Sequence, residues 1–224
     1  MRSFADITKR AAENAGGTAE LEARLPVPES AAALRKMSDD RYLSTMSLRV
    51  FSAGLRHSMV RDKWPAFEEV FQGFEPGKVV SFSDEALEAL MKDTRIIRHW
   101  GKISATRGNA IAMTEIAAEH GSFAGWLSAW PTENTAGLWE ALQKRFSQLG
   151  GMSGPMFLRW VGKDTFMLSL DVVRALNELG VAKSEFKGKR DRRIAQEAFN
   201  VWREESGMAL SQISMTLAIF TGVR

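Results

Sequence analysis

Residues 149–156, LGGMSGPM, hold three glycines, a serine and a proline between two stretches of helical patterning, TAGLWEALQKRFSQ and FLRWV. Glycine accepts positive φ and close backbone approach, and Pro155 carries the φ of a first helical turn. A glycine hairpin that leads into a helix offers N–H donors at the positive end of a dipole, which is the chemistry of a phosphate site and could hold a DNA backbone. A plain turn between antiparallel helices is the alternative for the same eight residues. Twenty-two residues after Leu149 stands Asp171, first in DVVRALNELG. A carboxylate at a helix N-terminus is kept ionised by the dipole and by N–H donors, which suits a group that stabilises a developing cation. An N-cap, worth about 1 kcal/mol, is the alternative there.

The remaining inventory narrows the chemistry by exclusion. The chain has no cysteine, which removes disulfides, thiolate zinc sites, cysteine-ligated clusters and a cysteine nucleophile. Its histidines, His57, His99 and His120, have no metal-ligand spacing, so neither a metal nor a cofactor is expected. With 45% hydrophobic and 25% charged residues the composition is that of a folded protein. A net charge of +3 and a pI near 9.3 admit a phosphate-bearing partner without requiring one. No apolar stretch approaches the roughly 20 residues of a membrane span. MRSFADITKRAAENAGG contains no signal-peptide core. The expectation is a cytoplasmic monomer without membrane contact, nucleoid-associated if the source is bacterial.

The elements that must position these groups are helices. Apolar residues recur at helical spacing almost throughout and β-branched alternation is nearly absent, so the chain reads as all-α. A helix over about 3–15 ends at Gly16-Gly17, and Ser30 is placed to cap AAALRKM. Leu43, Met46, Val50 and Phe51 lie on one side of a long helix interrupted or kinked near Gly54. Trp64, Phe67, Phe71 and Phe74 form an aromatic stripe; Ser83 opens SDEALEALMKD, and Ser122 opens FAGWLSAW, which Pro131 stops. RIIRHWGKISATRGNAIAMTEIAAEHG reads as one or two helices pivoting at Gly101. DVVRALNELG ends at Gly180, and the tail holds the basic run KSEFKGKRDRR, the helix IAQEAFNVWREE and an apolar helix around SQISMTLAIF.

The hairpin followed by an aspartate resembles the helix-hairpin-helix DNA glycosylases, with Leu149, Gly151 and Asp171 in matching order and Ser153 where a glycine is usual. The run WPAFEEVFQGFEPGKVVSFSDEALEALMKDTRIIRHWGKISATRGNA, with IIRH, GKI and GNA in order and SAGL upstream, resembles the core of the DNA-3-methyladenine glycosylase I family. Together the two resemblances span roughly residues 43–180. They imply two interlocked helical lobes: a helical barrel over 38–164 with its hairpin near 138–164, and a second lobe built from 1–37 and 165–224. They imply hydrolytic excision of a damaged, alkylated purine flipped from duplex DNA. No lysine follows the hairpin, where Gly154, Pro155 and Met156 stand, so the resemblance is to a monofunctional enzyme with water as nucleophile. Asp171 would stabilise the oxocarbenium-like state.

A flipped base needs stacking surfaces, and Tyr42, Phe51, His57 and Trp100 are the candidates for pocket or wedge, with core packing as the alternative for Phe51 and Trp100. Backbone contacts fall to Gly151, Ser153, Gly154, Arg98, Lys102 and Lys163. Arg95, Arg98, Lys102 and Arg107 form a basic run uninterrupted by acids, whereas KSEFKGKRDRR reads more readily as a solvated face. The chain departs from the 3-methyladenine family at Arg49, where the family has a base-contacting glutamate, and at His57, where it has an aromatic. The family's zinc site cannot form without cysteine. A buried Arg49 would repel a cationic alkylated base, which makes a non-catalytic DNA-structure-binding protein of the same fold the second expectation.

Overall fold

The computed structural model describes residues 2–222, and every regular element among them is helical. In chain order these are α1 (Phe4–Ala15), α2 (Thr18–Glu22), α3 (Ala31–Lys36), α4 (Asp39–Ser52), α5 (His57–Asp62), α6 (Trp64–Val70), α7 (Pro76–Val80) and α8 (Asp84–Leu90). There follow α9 (Trp100–His120), α10 (Phe123–Ala129), α11 (Thr135–Arg145), α12 (Ser153–Trp160), α13 (Leu170–Glu178), α14 (Lys189–Ser206) and α15 (Leu210–Phe220). Two compact units divide the chain. One takes the residues up to Glu29, Pro131–Leu138 and those from Gly162 on; the other takes Ser30–Trp130 and Trp139–Val161.

The Ser30–Val161 unit is organised by α4 and α9, which pack on each other. Helix α9 buries Ile103, Ala105, Ala110, Ala112, Met113 and Ile116, positions distributed around its circumference. Its SATRGNAIA stretch of small residues lets α4, α7, α8 and α10 approach that surface. A helix covered on most sides is a central post rather than an amphipathic lid. On α4, Tyr42, Leu43, Met46, Val50 and Phe51 are fully or nearly fully buried. The aromatic stripe continues this core: Trp64 stacks on Phe67 at 4.8 Å and on Phe74 at 5.3 Å, and Phe71 lies 5.3 Å from Phe74. Helix α6 stops at Val70, and Phe74 reaches the stripe through a 3-10 turn.

Local capping set several of the helix starts. Ser30, Ser83 and Ser122 each accept from the N–H three residues on, as their positions before apolar runs suggested. A tertiary cap joins them: the Asp39 carboxylate, on α4, accepts from the N–H groups of Phe123 and Ala124 at 3.1 Å and so closes the start of α10. The break near Gly54 is complete, because α4 ends at Ser52 and Gly54 has φ 77°. The pivot at Gly101 does not occur. Helix α9 runs unbroken from Trp100, with His99 as its cap, and RIIRH is non-helical.

In the other unit, α15 is the centre, packed by α1, α13 and α14. Its first N–H groups, those of Leu210 and Ser211, donate to the Asp164 carboxylate at 3.0 and 2.9 Å. Its last carbonyls, those of Ile219 and Phe220, accept from Asn14 Nδ2 on α1. Phe166 stacks on Phe199 at 4.3 Å, and Phe199 meets Trp202 edge-on at 5.9 Å. Both orphaned ends of the apolar helix are therefore satisfied by polar side chains from outside it.

Because Asp39 supplies two acceptors to α10 that no residue of α10 replaces, Asp39→Ala is expected to lower stability by about 1–2 kcal/mol. Urea unfolding followed by circular dichroism measures this; an unchanged midpoint would contradict it.

Candidate functional site

The joint between α11 and α12 is built by two different kinds of glycine. Gln148 and Gly151 both occupy left-handed conformations, with φ 62° and 57°, and the Ser153 N–H donates to the Gly150 carbonyl to tighten the turn. Gly151 is exposed, and a side chain there would meet nothing within 4 Å, so its φ is what requires glycine. Gly154 is buried and has ordinary helical φ, but a Cβ at that position would lie 2.9 Å from the Leu149 carbonyl oxygen. The missing side chain of Gly154 permits packing of the turn on itself. Ser153 is half-buried at the first position of α12, and Pro155 sits in the first turn.

Helix α9 holds this joint. Asn109 Oδ1 accepts from the Ser147 N–H at 2.7 Å, and Asn109 Nδ2 donates to the Ser147 carbonyl at 3.2 Å. Gln148 Nε2 donates to the Gly101 carbonyl at 2.7 Å. A fully buried Asn109 bonding both the N–H and the carbonyl of one residue acts as a clamp and accounts physically for the GNA sequence.

Immediately after Gly101, Lys102 lies near Arg49, and no acid offsets the two cations. Lys102 is 7% exposed, and its ammonium donates to the carbonyls of Phe51 at 3.1 Å and Ala53 at 2.8 Å, the C-terminal end of α4. A cation at that end satisfies orphaned carbonyls and complements the dipole. Burial lowers the Lys102 pKa, and the charge of Arg49 lowers it further. Arg49, in the last turn of α4, has a buried Nε with no hydrogen-bond partner, and burial depresses its pKa too. Lys102 is accordingly a helix cap and not the expected phosphate contact.

The other expected residues separate by burial. Tyr42 and Phe51 are fully enclosed, with the Tyr42 hydroxyl donating to the Leu34 carbonyl at 2.8 Å; they are core and present no wedge. Trp100 is the reverse, 43% exposed at the start of α9. His57 is exposed and lies edge-on to Trp160 at 5.6 Å, with the Arg61 guanidinium 6.0 Å from the same ring. Trp160 lies in the apolar run FLRWV, where nothing in the spacing distinguishes it from core. Of the basic run, Arg95 pairs with Asp93 and Glu69 and Arg107 with Asp84, while Arg98 is exposed and has no ion pair among the described residues. The partners lie outside the run, Asp93 just upstream and Glu69 and Asp84 on α6 and α8.

Asp171 and Lys163 belong to the other unit. Ser169, whose Oγ accepts from the Val172 N–H, is the cap of α13, so Asp171 is not. The Asp171 carboxylate is partly exposed and pairs with Arg174 at 3.2 Å. Lys163 is 6% exposed, with burial lowering its pKa against the opposing pull of Asp164. A buried lysine does not supply the surface phosphate contact expected of it.

The methyladenine glycosylase family profile matches residues 33–148, just over half of the chain. The chain belongs to this family. Across 64 residues it is 41% identical to DNA-3-methyladenine glycosylase 1 of Escherichia coli strain K12, a segment that covers 29% of this chain and 34% of that protein. The match thus spans about a third of the curated relative's length. A solved structure of 3-methyladenine DNA glycosylase I from Staphylococcus aureus aligns over 56% of this chain and 77% of its own, with 26% identity and a TM-score of 0.51. A further crystal structure of a 3-methyladenine DNA glycosylase I aligns over 62% and 83%, with 25% identity and a TM-score of 0.51. The family match contains α4, α9, Arg49, Lys102 and Asn109 and stops at Gln148, one residue before LGGMSGPM.

Gly154→Ala is expected to cost about 1–3 kcal/mol through the contact with the Leu149 carbonyl, and Gly151→Ala about 1 kcal/mol through φ alone, both read from urea unfolding. Arg49→Met removes a desolvated cation, so its unfolding midpoint at neutral pH should be equal to or above that of the parent. Because Lys102 titrates below its ordinary value, the unfolded chain binds more protons in the window beneath 10.5, and stability rises with pH across it. That rise should be smaller in Arg49→Met, as NMR titration of the lysine would show by an upward pKa shift.

Proposed function

We propose that the protein binds duplex DNA and hydrolyses the N-glycosidic bond of a damaged purine. The observation that carries this reading is the family match over residues 33–148, which includes the clamp that holds the α11–α12 joint. The joint would grip the DNA backbone through Gly151 and Ser153, with Arg98 as an exposed phosphate contact. Trp100, His57 and Trp160 would offer aromatic surface to an extrahelical base. Asp171, freed from capping by Ser169, would stabilise positive charge on the sugar while water attacks, without metal or cofactor. Among the described residues no helix is long and apolar enough to cross a membrane.

The Arg49–Lys102 pair favours a second reading, a DNA-structure-binding protein without excision. Two desolvated cations with no carboxylate disfavour a cationic alkylated base in their neighbourhood, the more so because Arg49 Nε lacks an acceptor.

Base release from duplex DNA treated with a methylating agent distinguishes the two. The expected outcome is release by the parent chain and a loss of roughly 100-fold or more in the single-turnover rate of Asp171→Asn. Equal rates would remove Asp171 from catalysis. Tight binding with no release from alkylated or oxidised duplexes would select the second reading.

A further inference from the structure

The basic run KSEFKGKRDRR takes part neither in the joint nor in the cation pair. Residues 183–193 hold Lys183, Lys187, Lys189, Arg190, Arg192 and Arg193 against Glu185 and Asp191. The segment therefore carries +4 where the entire chain carries +3, and the other 213 residues together are slightly acidic. The chain's net positive charge is accounted for by these eleven residues.

The fold holds this charge on a defined surface. The segment is the end of the loop after α13 and the first turns of α14, and all its cations except the half-buried Arg192 are exposed. Phe186, 2% exposed, anchors the loop. Asn177 bonds both the N–H and the carbonyl of Ser184, whose hydroxyl donates to Asp191. The acids are thereby engaged: Asp191 with Ser184, and Glu185 with Lys187 at 2.6 Å. Arg190, Arg192 and Arg193 form no ion pair among the described residues. They also crowd the positive end of an 18-residue helix, where the dipole opposes cations. The arrangement is unfavourable in the free protein and becomes favourable against an extended polyanion.

We infer that residues 183–193 form a second, sequence-independent contact surface for the phosphate backbone of duplex DNA, separate from the α11–α12 joint. The choice of DNA among polyanions rests on the reading under Proposed function.

The test uses the full chain, a fluorescent duplex with an abasic-site analogue, and a salt series. Lys183→Gln, Arg190→Gln and Arg193→Gln combined should make the slope of log Kd against log salt shallower by roughly 2–3, with affinity near 0.1 M salt reduced roughly tenfold or more. The variant should melt no lower than the parent, and its single-turnover rate of base release at saturating protein should be unaltered. Parent binding with an unchanged variant slope overturns this inference alone. Failure of the parent to bind duplex at low salt overturns it together with the glycosylase reading. Polyglutamate bound more tightly than duplex, and lost in the variant, would assign the surface to an acidic protein and overturn it as well.

Discussion

The start of α9 is where the Ser30–Val161 unit is tied together. Lys102 reaches back to the last carbonyls of α4, the Gly101 carbonyl receives Gln148 from the joint, and two turns later Asn109 clamps Ser147. Lys102 and Asn109 are buried, so a missing partner for either would cost more than a formed one contributes. The small residues of α9 make this possible, because they bring its backbone near α4 and α10. One helix thus fixes the end of α4 and the entry to the glycine turn.

The Arg49–Lys102 pair is the least stable use of charge in this arrangement. Lys102 has carbonyl acceptors and a helix dipole to hold it; Arg49 Nε has no partner. A fold that needed only a cap for α4 would be served by Lys102 alone. Retention of a second desolvated cation beside it is the kind of local conflict that marks functional rather than structural sites. Within the family-matched residues, the end of α4 therefore carries two partly desolvated cations.

Much of the architecture was legible before any coordinates. Ser30, Ser83 and Ser122 announce their helices because a cap acts within three residues, and the aromatic stripe from Trp64 to Phe74 announces a core face because its period is local. Gly54 announces a break for the same reason. The non-helical RIIRH segment was not legible: Arg95 there is held by Asp93 and Glu69, and His99 caps α9, so tertiary ion pairs and a histidine cap decided what periodicity read as helix.

Among candidate site residues, the sequence by itself determined which chemistries are absent, since that follows from residue type. It determined the net placement of charge as well, concentrated in residues 183–193. Only the tertiary structure decided which charges are available. Lys102 and Lys163 are buried, Arg107 is paired, and Arg98 is not. Only the tertiary structure separated Gly151 from Gly154, and Ser169 from Asp171 as the cap of α13. The physical reason is common to all of these: desolvation and pairing depend on atoms far away along the chain, and no local pattern carries them.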